Sequence, residues 1–191
     1  AIIGLGLIGQ IAMQILKASG CKVIGIEPDK YKRELANECG CDLVLSPDNN
    51  MQSVIDFTKG HGVDKVLITA ATKSNGPITQ SGEIIRDRGI ISAIGAVNLD
   101  IPRDIYYEKE LSLVVSRSYG AGRYDSNYEE KGIDYPIGYV RWTEKRNVQL
   151  YIDLLEQGKL KIDKVITHTF DLNQAKEAYN LIVNNQKNEN I

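Results

Sequence analysis

The chain has 191 residues, 42% of them apolar and 25% charged, with a formal net charge of -2. That length suits one ordinary domain plus a short appendage, and such a domain buries roughly 70% of its unfolded surface. The balanced charge argues against a nucleic-acid partner, and no apolar run reaches the roughly 18–20 residues that cross a bilayer, so no membrane partner is expected either.

Ala1–Ile3 reads as the stump of a buried strand, so the chain opens inside an element and without methionine. Glycines follow, then a helix with Ile8, Ile11, Ala12, Ile15 and Leu16 on one face and Gly20 as its stop. Lys22–Ile26 is the second strand, and Asp29–Cys39 a second helix ending at Gly40. Asp42–Leu45 is strand three and Asn50–Lys59 a short helix. Asp64–Thr69 is strand four. Pro77 sits in the first turn of a helix that runs to about Arg86. Gly89–Ile94 is strand five, Arg103–Glu108 a helical stretch, and Leu111–Val115 strand six.

Buried, β-branched strands separated by helices predict an α/β fold, a doubly wound parallel six-stranded Rossmann sheet of order 3-2-1-4-5-6 with helices on both faces. From Tyr119 the character changes. Residues 119–142 interleave five tyrosines and Trp142 with glycines, too aromatic for a disordered linker, and read as an ordered excursion. Thr143 then opens a helix to about Gln157, with Val148, Ile152 and Leu155 near one face. Val165–Phe170 is a short extended segment. Asp171 and Gln174 have capping-box spacing ahead of a final helix carrying Leu172, Ala175, Ala178, Tyr179 and Ile182. The expected organisation is a nucleotide-binding domain over 1–160, including the excursion, and a C-terminal segment over 161–191.

Gly4-Leu5-Gly6-Leu7-Ile8-Gly9 is a GxGxxG motif between a strand and an amphipathic helix, and Glu27 ends the next strand 18 residues after Gly9. Together these form a dinucleotide-binding fingerprint. Gly4 permits the tight turn, Gly6 lets the backbone approach a pyrophosphate, and Gly9 lets the helix sit close to the strand. The helix N-terminus at Leu7–Gly9 offers free N–H groups to phosphate. Glu27 selects the cofactor: it can accept both adenosine-ribose hydroxyls of NAD, whereas the 2'-phosphate of NADP sets like charges together. At about 4 Å and an effective dielectric near 20, each unit pair costs roughly 4 kcal/mol before relaxation. NAD is therefore favoured over NADP, although Lys30, Lys32 and Arg33 lie close by. Ligands on this fold cross the carboxyl ends of the strands. That adds Ala70, Ala71 and Thr72 after strand four, bordering the adenosine half. Gly95 and Ala96 after strand five and Ser116 after strand six border the nicotinamide half.

The spacing shows no catalytic constellation and no metal site. Cys21, Cys39 and Cys41 cannot all pair and match no zinc template, so a reduced, cytoplasmic setting is expected. His61, in a turn at the amino edge of the sheet, and His168, expected to bond backbone, are the two histidines.

The G-L-G-L-I-G fingerprint, Glu27-Pro28-Asp29-Lys30, Lys109-Glu110-Leu111 and the ending Gln157-Gly158…Ile166-Thr167-His168…Phe170…Glu177-Ala178 resemble the medium-chain, zinc-type alcohol dehydrogenases across nearly the whole chain. Ser118–Asp125 (S-Y-G-A-G-R-Y-D) and Asp134–Glu144 (D-Y-P-I-G-Y-V-R-W-T-E) more narrowly resemble zinc-binding dehydrogenases of the bi-domain oxidoreductase type. The resemblance implies the NAD-holding part of a longer oxidoreductase that moves a hydride to or from an alcohol or carbonyl, sugar-like in the narrower group. Zinc and the small-molecule substrate would belong to a separate catalytic domain, toward which residues from Lys161 onward would return, and this part alone would be inactive. It further implies pyrophosphate contacts at Gly6 and its neighbours, ribose contacts at Glu27 and Lys32, and a homodimer through the edge of strand six. Two other readings use the same residues: a non-enzymatic dinucleotide-binding redox sensor, and a site for another nucleotide such as S-adenosylmethionine.

Overall fold

The computed structural model describes residues 1–48 and 50–184. Six parallel strands form one sheet, β1 (Ile2–Ile3), β2 (Ile24–Ile26), β3 (Leu43–Leu45), β4 (Val63–Ile68), β5 (Ile85–Ala93) and β6 (Ser112–Val115). Their order is β3-β2-β1-β4-β5-β6, as the alternation of buried strands and helices predicts. Ile2 and Ile3, adjacent in the chain, point to opposite faces of the sheet, because side chains alternate along a strand. Ile2 joins Leu5, Met13, Val23 and Ala36 beneath α1 (Leu7–Ala18) and α2 (Lys30–Glu38). Ile3 joins Val54, Ile78, Ile84 and Tyr106 beneath α3 (Met51–Phe57), α4 (Gly76–Ile84) and α5 (Arg103–Glu108). Each isoleucine or valine so buried contributes about 1.5–3 kcal/mol.

Polar groups lock this frame at its joints. The Tyr106 hydroxyl donates to the Ile78 carbonyl at 2.8 Å, and burial pushes its pKa up to about 12. Lys109 donates to the carbonyls of Gly82, Glu83 and Ile85, so its ammonium satisfies the open end of α4. Asp42 accepts from Lys17 at 2.6 Å and from the Val23 amide at 2.7 Å, joining α1 to the β2–β3 edge.

Several elements differ from the sequence reading. The buried positions of α1 are Gly9, Gln10, Met13 and Gln14, and Ile8 is exposed; Ala12 and Leu16 only flank the core. The motif glycines set the rotation of this helix, and its apolar stripe follows that constraint. β5 starts at Ile85, before Gly89, but its regular pairing begins at Ile90, after a bulge in which Arg88 adopts φ 54°. Between α7 (Glu144–Glu156) and the core, Leu154 is the buried residue, while Val148 and Ile152 face outward. Val165–Phe170 joins no strand; a 3-10 turn at Ile162–Lys164 precedes it. Asp171 begins a second 3-10 turn, its N–H donating to Gln174 Oε1 at 3.2 Å, and leads into α8 (Ala175–Asn184). Leu172, Tyr179 and Ile182 are exposed there. Residues 185–191 of the expected C-terminal segment lie outside the described residues.

The tyrosine-rich stretch is ordered around the single turn α6 (Ser126–Glu129). Glu129 accepts from the Tyr119 hydroxyl and from Arg123 (2.6 Å), which also lies 4.4 Å over the Tyr124 ring. Tyr128 and Tyr135 stack at 5.7 Å, and the Tyr135 hydroxyl donates to Asp125, holding that carboxyl below its usual range. Arg146 of α7 closes the unit by donating to Asp134 and to the carbonyls of Tyr135 and Val140.

Candidate functional site

At the carboxyl end of β1 two of the three motif glycines are required by the chain itself, each for a different physical reason. Gly4 adopts φ 97°, a left-handed conformation, and a Cβ there would lie 2.6 Å from the Ala70 amide nitrogen. A Cβ on Gly9 would overlap the Gly4 carbonyl oxygen, so Gly9 sets the close packing of α1 on the loop. Gly6 is different. Its φ of -67° suits any residue, and a Cβ there would meet nothing within 4 Å. Neither strain nor packing within the chain demands glycine at this position, and the space it leaves open adjoins the first turn of α1. Gln10 N–H makes the helix bond to the Gly6 carbonyl at 2.9 Å, so the amides of Leu7, Ile8 and Gly9 precede the helical ladder. An open cradle beside unladdered amides suits an anionic group.

Glu27, only 7% exposed at the end of β2, holds the same loop. One carboxylate oxygen accepts the Leu5 amide at 2.7 Å and the other accepts the Asp29 amide at 3.1 Å. Asp29 in turn caps α2 by accepting from Lys32 N–H at 3.1 Å. Of the three nearby cations, Lys30 reaches Glu34 at 3.6 Å, and Arg33 folds back to donate to the carbonyls of Glu27 and Pro28. Lys32 is half-buried.

Two further residues of the site carry no motif. Thr69 donates from its hydroxyl to the Gly4 carbonyl at 2.5 Å, tying the loop to β4. Gln10, 1% exposed, donates its side-chain amide to the carbonyls of Leu5 (3.1 Å) and Lys32 (2.9 Å). The available signal for Gln10 is a pair of amides, Gln10 and Gln14, at i,i+4 spacing in the otherwise apolar stretch that follows Gly9.

The loops after β4 and β5 meet. Thr72 N–H donates to the Ala96 carbonyl at 2.9 Å, and Gly95 N–H donates to Ile68. A Cβ on Gly95 would overlap the Ala70 carbonyl, so packing within the chain already requires glycine at that position. Ala71, Thr72, Ala96 and Ser116 are exposed along this edge, and Ser116 N–H donates to Ala93 at the end of β5. The expected residues thus line one edge in two stretches that meet where Gly4 approaches Ala70: Gly4–Gly9 with Glu27 and Lys32, and the loop ends Ala70–Thr72, Gly95–Ala96 and Ser116.

A cavity of about 1220 Å³ opens at the opposite, amino-terminal edge, lined among others by Cys21, His61, Asp64 and Arg86. Parallel sheets bind ligands at the other edge, and His61 lies outside the candidate site. His168 is also exposed; its Nδ1 meets the Thr167 hydroxyl, not the backbone, at 3.0 Å. Among the described residues no group of three or more His, Cys, Asp or Glu could hold a metal. Burial raises the thiols of Cys39 and Cys41, the wrong direction for thiolate ligands. These residues do not fit a zinc centre. No helix among them is long and apolar enough to cross a membrane.

A family model described as zinc-binding dehydrogenase matches residues 8–134. The chain is 29% identical to L-threonine 3-dehydrogenase of Caldanaerobacter subterraneus subsp. tengcongensis, over 97% of this chain and 48% of that protein. It is 27% identical to D-arabitol-phosphate dehydrogenase of Enterococcus avium, over 95% and 46%. Among solved structures it superposes on an alcohol dehydrogenase (rspB) of E. coli CFT073, complexed with NADH, with TM-score 0.69, 23% identity, and coverage of 97% of this chain and 48% of that one. The chain thus spans about half the length of the curated relatives it matches. With more than half of its residues inside the family model, and the glycine loop and sheet order in place, the chain belongs to the zinc-binding dehydrogenase family.

Proposed function

We propose that this chain is the nicotinamide-dinucleotide-binding part of an oxidoreductase that moves a hydride between an alcohol or carbonyl substrate and NAD(H). The observation that carries the reading is Gly6, whose missing side chain opens a cradle at the unladdered start of α1. Family membership and the NADH held by the superposed alcohol dehydrogenase support it. In this reading the amides of Leu7, Ile8 and Gly9 face the pyrophosphate and Glu27 faces the adenosine ribose, with Lys32 beside it. Ala70, Ala71 and Thr72 border the adenosine half; Gly95, Ala96 and Ser116 border the nicotinamide half. Bound NAD(H) would supply the hydride acceptor or donor; the chain's own task is to hold and orient it.

NAD is the preferred form. Glu27 places a negative charge at the ribose, and Arg33 and Lys30 are already engaged by carbonyls and by Glu34. Substrate pocket and any zinc belong to a further domain, against which the exposed Leu172, Tyr179 and Ile182 would pack. The relatives' names point to small hydroxylated substrates for the whole protein, which is expected to need that domain for turnover. The open edge of β6 would pair with a second copy. Fluorescence titration of the purified chain with NADH and then NADPH tests the reading. Saturable NADH binding with a weaker NADPH response is expected, and a well-folded chain that binds neither would refute it.

A further inference from the structure

The Leu5 peptide, in the middle of the glycine loop, is gripped from both sides. Its N–H is taken by Glu27 and its carbonyl by the Gln10 amide, while the Leu5 side chain lies fully buried over Gly25. The same Gln10 amide donates to the Lys32 carbonyl, so one side chain of α1 ties the glycine loop to the first turn of α2. Burying this amide is costly. Among the described residues its Oε1 has no partner, and an unmet buried acceptor destabilises the fold where an apolar side chain of similar size would not. Gln14, one turn further on, is buried as well and leaves its Nε2 without a partner among the described residues, but its Oε1 accepts from the Lys161 amide at 2.6 Å, away from the loop.

We propose that Gln10 is a positioning residue for the dinucleotide: by fixing the Leu5 carbonyl against Lys32, it sets the orientation of the peptides that follow and so aims the Gly6–Gly9 amides at the pyrophosphate. The proposal rests on the dinucleotide reading above. It acts through the loop, and Gln10 itself need not touch the ligand.

The test compares Gln10→Met, close in shape but without the amide donors, with Gln14→Met as the control for losing a buried amide from the same helix. Affinities for NADH, ADP-ribose and adenosine are measured at a temperature where circular dichroism shows each variant folded. Gln10→Met should weaken NADH and ADP-ribose about tenfold, change adenosine little, and speed amide exchange over Leu5–Gly9. Gln14→Met should leave all three affinities unchanged. Equal losses in both variants, or unchanged NADH affinity in Gln10→Met, would overturn the proposal. Should Gln10→Met fail to fold, the Gln10 side-chain amide protons of the unmodified chain are followed by NMR. They should shift with ADP-ribose and not with adenosine; no shift at saturation overturns the proposal. A wild-type chain that binds no dinucleotide would instead refute the functional reading itself.

Discussion

Replacing Gly6 by alanine separates what the fold needs from what a ligand needs. In the unliganded chain the new methyl group meets nothing within 4 Å, and φ of -67° is ordinary for alanine. Two small terms then oppose each other. Alanine restricts the unfolded chain and stabilises by about 0.4–1 kcal/mol. Gly6 is also the N-cap of α1, where alanine is a poor residue, at a cost of about 0.5–1 kcal/mol. The net change lies within about 1 kcal/mol of zero, or within about 4 °C in Tm for a chain of this size. For the ligand the same methyl group is an overpacked contact worth about 1–3 kcal/mol, which weakens NADH by roughly 5- to 150-fold. Thermal melts by circular dichroism and NADH fluorescence titration on the same samples measure both quantities. Gly6→Ala that binds NADH as well as the parent chain would refute the cradle, and Gly6→Ala that melts far below it would refute the open space. Gly9→Ala gives the contrasting result, a large loss of stability, because its Cβ has the Gly4 carbonyl in the way.

Glu27→Ser should narrow the preference for NADH over NADPH, read as the ratio of dissociation constants, and should also lower Tm because the Leu5 and Asp29 amides lose their acceptor; an unchanged ratio removes Glu27 from cofactor selection. Tyr106 titrates near 10 when unfolded and about 12 in the fold, so the folded state disfavours its ionisation. That stability is fully present below pH 10 and is lost as pH rises toward 12. Tyr106→Phe should flatten this alkaline decline in urea melts and cost about 1 kcal/mol at neutral pH through the lost bond to Ile78; an unaltered alkaline limb would show that another group governs it. Val114→Lys, on the exposed edge strand, should convert any dimer to monomer in light scattering without changing Tm, and a persisting dimer would place the contact elsewhere.

The sheet order and the motif glycines were legible because each rests on a local rule, buried β-branched runs for the strands and backbone geometry for Gly4 and Gly9. The burial of α1 was not. Its stripe of Ile8, Ile11 and Ile15 has helical period, but the close approach at Gly9 fixes the helix rotation and turns Gln10 and Gln14 inward. Gly95 shows the opposite limit: a small residue at a strand end reads as room for a ligand, while the tertiary contact with Ala70 explains it fully. Spacing suggests Glu27 only as a candidate ribose acceptor; its grip on the Leu5 amide, which the structure does show, depends on a register between β1 and β2 that spacing alone does not show.

Ala70 sits between two glycines that come from different strands, with Gly4 close to its amide and Gly95 close to its carbonyl. Three strand ends therefore meet through main chain, leaving a lip at the carboxyl edge with almost no side-chain volume to adjust. Substitutions at Gly4, Ala70 or Gly95 would push neighbouring strands apart and so weaken dinucleotide binding through the sheet, beyond any contact they make with the ligand. A mutational scan scored on cofactor binding alone would group them with Gly6. Only a parallel measurement of folding would separate Gly6, where the fold has room for a methyl group, from Gly4 and Gly95, where main chain leaves none.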